Sequence, residues 1–69
     1  MLYFNLLDVN KQKTLSTPAR DRKNALEIFG KELGKSLTLD DQGSVASYLI
    51  DEWESGPHWI NPTIPVFEV

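Results

Sequence analysis

Val45-Ala46-Ser47-Tyr48-Leu49-Ile50-Asp51-Glu52-Trp53 is the stretch on which the fold turns. Val45, Ala46, Leu49, Ile50 and Trp53 recur at i, i+1, i+4, i+5 and i+8, which is the spacing of one apolar stripe on a helix. Upstream, Thr38 followed three residues later by Asp41 resembles a capping box, although Gly43 weakens the first turn. Downstream, Ser55-Gly56-Pro57 supplies the glycine and proline that end helices. This reading predicts a second helix that follows Thr38 and ends at Ser55-Gly56-Pro57, with Trp53 in the core and Asp51, Glu52 and Glu54 at its C-terminal end. Acids are unfavourable there because the macrodipole is negative, so the cluster reads either as paired with Arg20, Arg22 or Lys23, or as a surface for a basic partner.

Working outward, the chain has a clearer helix before this stretch. Thr17-Pro18 offers an N-cap followed by proline at the first helical position. Arg22, Leu26, Phe29 and Leu33 then follow at helical spacing, widened by Ala25 and Ile28, and Gly34 provides the left-handed C-terminal residue. The predicted helix spans 18–34. Gly30, beside Phe29, points to close backbone packing or a frayed last turn. At the N-terminus, residues 2–9 read as a strand apolar on both faces, with a short second strand around Gln12–Ser16. At the other end, Pro62 and Pro65 exclude a helix throughout, and Ile64–Glu68 reads as a strand in which Pro65 requires a sheet edge or a place among the first residues, with the edge expected here. The expected fold is therefore α+β: one domain over residues 1–69 in which two helices pack on a short two- or three-stranded sheet, in the order β(β)ααβ, with the N-terminal strand at the centre.

Composition bounds the function. In 69 residues there is room for one domain but not for separate cofactor and substrate domains. Scaling laws give roughly 4,400 Å² of folded surface against about 11,500 Å² unfolded, which leaves a small core. Two Trp, two Tyr and three Phe in periodic runs oppose disorder. The absence of Cys removes disulfides and thiolate chemistry, and the N-terminal apolar run is broken by Asn5 and lacks a basic leader, so the expected setting is cytoplasmic with no membrane segment. Charge is divided along the chain. Residues 1–35 hold all seven bases and four acids, whereas residues 36–69 hold six acids and no base, giving +3 and −6. The two halves either neutralise each other or face different partners, and the size of the chain favours the former.

Motifs for chemistry fail on spacing. Gly34-Lys35-Ser36 has Phe29 where a phosphate-binding loop needs its first glycine, and it follows a helix instead of a strand. Thr38–Gly43 faintly resembles a calcium loop, but with Gly43 at the sixth position the twelfth is Leu49 and not a bidentate Glu. His58 is the only histidine, without cysteines or a carboxylate at ligand spacing. No nucleophile elbow accompanies the Ser, His and Asp present. The expectation is a protein that is no enzyme and uses neither cofactor nor metal.

Binding surfaces remain. Trp59, beside His58 and Ile60 in a proline-stiffened loop, is a candidate exposed anchor. Together with Asp51, Glu52 and Glu54 it defines a candidate protein-binding surface, on which Trp59→Ala is expected to abolish binding with little loss of stability. The expected function is a small module that regulates or inhibits a larger protein, a profile shared by phage and mobile-element accessory proteins. The alternative is nucleic-acid binding through the basic face of the first helix, with Arg20, Lys23 and Lys31 as contacts, although Asp21, Glu27 and Glu32 interrupt that face. Homodimerisation at a sheet edge is open to so small a core, with the prolines arguing against a long edge.

Overall fold

A computed structural model describes residues 2–54 and 58–69. The elements are β1 (Leu2–Leu7), β2 (Lys13–Ala19), α1 (Arg22–Leu33), β3 (Leu37–Thr38), β4 (Tyr48–Glu54) and β5 (His58–Glu68). The strands form one antiparallel sheet in the order β2-β1-β4-β5-β3, curled into a half-barrel around the helix. The expected α+β fold with two helices on a short sheet is thus corrected to a mostly β fold with one helix, in the order ββαβββ.

The correction lies in the stretch 45–53. A spacing of four is even, so Leu49 and Trp53 fall on one side of a strand as readily as on one side of a helix, while Ile50 falls on the other. The choice is made by β1, whose register against β4 pairs Tyr3 with Trp53, Phe4 with Glu52, Asn5 with Asp51, Leu6 with Ile50 and Leu7 with Leu49. Directly opposed side chains are the unit of sheet stabilisation: Leu6 meets Ile50, Leu7 meets Leu49, Tyr3 meets Trp53 and Asn5 meets Asp51, while Glu52, opposite Phe4, is paired with Arg22 of α1. The cost of acids at a helix C-terminus does not arise, because Asp51, Glu52 and Glu54 sit on a strand. The proposed helix stop, Ser55-Gly56-Pro57, lies outside the described residues.

The first helix is present but starts later than Thr17-Pro18. Residues up to Ala19 continue β2, where Thr17 pairs with Phe4 and Ala19 with Leu2. Pro18 lies on this outermost strand, where a missing N–H is tolerated. Asp21 is the N-cap instead: its carboxylate accepts the Asn24 backbone N–H at 2.8 Å, and the Asn24 side chain in turn accepts the Arg20 N–H at 3.2 Å. At the other end Gly34 adopts φ 67°, and its N–H and that of Lys35 both donate to the Gly30 carbonyl. A Cβ on Gly30 would stand 2.6 Å from the Lys35 carbonyl oxygen, so this glycine permits the chain to fold back against the helix.

The second strand is also longer than the expected Gln12–Ser16. The β1–β2 turn is built on Asp8, whose carbonyl accepts the Lys11 N–H and whose carboxylate accepts the Asn10 and Gln12 N–H groups. Lys11 completes it in the left-handed region at φ 64°. The C-terminal strand begins at His58, earlier than Ile64, and is not the outermost: β3 pairs with its last residues, Phe67 and Glu68. β1 is an interior strand between β2 and β4, but the central place expected for it is taken by β4. The core lies between the inner face of the sheet and the helix. Phe4, Leu6, Ile50 and Val66 from the strands meet Ala25, Leu26 and Phe29 from α1, all buried.

Candidate functional site

Alternation along β1 and β4 directs a different set of side chains to the outer face, away from α1. Three rows cross the strands. At one end Leu7 opposes Leu49, which in turn opposes Pro65. In the middle Ser16 of β2 opposes Asn5 of β1, which opposes Asp51 of β4. At the other end Pro18 opposes Tyr3, which opposes Trp53, and the β5 backbone places Trp59 opposite Trp53.

The middle row is a connected polar network. The Asn5 amide donates to Asp51 Oδ1 at 2.9 Å, and the Trp53 indole N–H donates to the same oxygen at 3.0 Å. The Ser16 hydroxyl donates to the Asn5 side-chain oxygen. Two donors on Oδ1 fix the carboxylate, and among the described residues no donor reaches Oδ2. The adjacent aromatic row keeps Tyr3 45% exposed, which makes it one of the larger apolar groups left in water. The surface therefore joins an oriented carboxylate to aromatic rings, chemistry that suits the cationic side chain of another protein.

The sequence-predicted contacts are divided by this geometry. Asp51 lies on the outer face with Trp53, whereas Glu52 points inward and meets Arg22 of α1 at 3.4 Å, with side-chain exposures of 14% and 33%. Glu52 thus links sheet to helix, which is the intramolecular pairing weighed from the sequence. Glu54 is exposed at the end of β4 and stands opposite His58 in register. His58, Trp59 and Ile60 are placed by their backbone on β5; their side chains lie outside the described residues. The assignment of Trp53 to the core is corrected as well: it is half-buried on the outer face, because a strand turns it away from Ile50. Tyr3, Asn5 and Ser16 escaped the sequence reading. Their only sequence signal was polar Asn5 in an otherwise apolar strand.

The basic residues are also split. Lys23 and Lys31 are exposed on α1 with Glu27 between them, while Arg20 precedes the helix and lines a separate depression with Leu2, Pro18 and Asn24. Lys35 is engaged: its Nζ donates to Glu68 at 2.9 Å and to the Tyr48 hydroxyl at 3.1 Å, and it lies 5.5 Å from the Tyr48 ring centroid. The hydrogen bond to Glu68, then that to Tyr48, raises the Lys35 pKa above the ordinary 10.5. Among the described residues no helix is long and apolar enough to cross a membrane. No protein-family model, no curated protein and no solved structure matches the chain.

Proposed function

We propose that the chain is a non-catalytic protein-binding module that regulates or inhibits a larger partner, and that Asp51 and the rings of Tyr3 and Trp53 receive a basic side chain of that partner. The observation carrying this reading is the carboxylate of Asp51, held by Asn5 and Trp53 in the middle of the sheet face turned away from α1, with Tyr3 exposed beside it. A fixed carboxylate flanked by aromatic rings loses little freedom on binding and rewards an arginine or lysine with both ionic and ring contacts. Nucleic-acid binding is the competing reading, and it draws less support because Glu27 separates Lys23 from Lys31 and Lys35 is already paired.

The test is affinity capture from lysate of the source cell, with and without nuclease, using three immobilised proteins: the native chain, Asp51→Asn, and the Lys23→Ala/Lys31→Ala double variant. The expected result is a protein retained by the native chain and the double variant and lost by Asp51→Asn, with all three equally folded by circular dichroism. Retention that vanishes with nuclease and with the lysines would overturn the reading in favour of nucleic acid.

A further inference from the structure

A groove of about 750 Å³ separates α1 from the segment that follows it, with Leu26 and Gly30 on the helix side and Leu37 and Leu39 on the strand side. Its strand wall is an open sheet edge, because β3 is the last strand in the order. The register identifies which backbone groups are unused there. The Val69 N–H donates to the Ser36 carbonyl at 3.0 Å, so Leu37 and Glu68 form a pair whose own N–H and C=O groups point away from each other. The Leu37 N–H and C=O therefore face the open edge, the arrangement that accepts one more strand.

The helix side says what that strand carries. Lys23 and Lys31 stand on the groove rim, eight residues and about 12 Å apart along the helix axis. An extended chain covers about 13 Å in four residues, and residues i, i+2 and i+4 of a strand share one face. A strand lying along the groove thus matches both lysines with carboxylates at i and i+4. Glu27 between the lysines and Asp40 on the strand side repel a third carboxylate, while half-buried Leu37 and Leu39 offer apolar surface to the residue at i+2.

We propose that this groove is a strand-addition site for an extended acidic segment of a partner protein with the pattern acidic-x-apolar-x-acidic. The segment pairs antiparallel with Leu37 through its apolar residue and meets Lys23 and Lys31 through its two carboxylates. The site is separate from the outer face around Asp51, and its occupant carries the opposite charge.

The test is an amide-shift titration of the full chain by heteronuclear NMR, with the blocked peptide Thr-Glu-Thr-Val-Thr-Glu-Thr as probe. The expected result is saturable shifts centred on Gly30, Lys31 and Ser36 to Asp40, with at least tenfold weaker binding when both Glu of the probe are replaced by Lys. Methylating the valine nitrogen of the probe removes the hydrogen bond to the Leu37 carbonyl without altering the protein, and it should weaken binding at least tenfold. Lys23→Glu/Lys31→Glu, two changes at exposed positions, should reverse the charge preference, and Asp51→Asn should leave the affinity unchanged, which separates this site from the outer face. No saturable binding, equal binding of the methylated probe, or shifts of the same amides with protein concentration alone would overturn the proposal, the last in favour of self-association.

Discussion

The two faces of β1 and β4 are built from alternate residues of the same two strands and are held in different ways. On the inner face Phe4, Leu6 and Ile50 are sealed beneath α1, so their order follows from packing. On the outer face Asn5, Asp51 and Trp53 are only half-buried, and their order follows from hydrogen bonds that converge on one carboxylate oxygen. Packing holds a face whose only task is to stay closed. Directional bonds hold the one that is partly exposed, since a polar network keeps its geometry without a covering layer.

The strongest way to break this contrast is to cut the core beside an untouched outer face. Phe4→Ala should lose about 3–5 kcal/mol in urea denaturation, whereas its exposed neighbour Tyr3→Ala should lose less than about 1 kcal/mol. Equal losses would mean that the two faces are not distinct. Next in size is Gly30→Ala. Helix propensity alone favours alanine by about 1 kcal/mol, but collision with the Lys35 carbonyl should reverse the sign to a net loss of about 1–3 kcal/mol. Asp51→Ala should then cost about 1 kcal/mol by leaving the Asn5 amide and Trp53 indole without their acceptor, and should shift the tryptophan emission. In the turn that joins β1 to β2, Lys11→Gly should raise stability by about 1 kcal/mol, since the left-handed conformation there carries a penalty that glycine avoids.

The smallest effect concerns pH. Because the folded pKa of Lys35 is raised, its pairing with Glu68 and Tyr48 contributes fully below the ordinary value of 10.5 and is lost as pH rises through the folded pKa. Thermal melts of the native chain should therefore fall at strongly alkaline pH by more than those of Lys35→Met. Identical alkaline profiles would remove the pair from the account.

What the sequence disclosed follows from how local each signal is. The α1 stripe of Leu26, Phe29 and Leu33 and the Gly34 terminator act within a few residues, and they were legible. The helix start was misplaced because Thr17-Pro18 satisfies local capping rules, while the sheet pairing of Thr17 with Phe4 outweighs them. Tyr48–Glu54 was illegible for a related reason: its apolar spacing fits both periods, and the partner that decides, β1, lies 46 residues away at the Asn5–Asp51 contact. The site inherits that error. Read as a helix end, Asp51, Glu52 and Glu54 form one cluster; as a strand they alternate, so Glu52 serves the interior and Asp51 the surface.

Every assignment of a side chain to a face rests on β4 being a strand in register with β1, and nuclear Overhauser contacts measure this directly. Backbone contacts are expected between residues 3–7 and 49–53, with Asn5 opposite Asp51 and the Trp53 indole proton near Asp51. A run of sequential amide–amide contacts from Val45 to Trp53, with none to β1, would contradict this register and restore the helix.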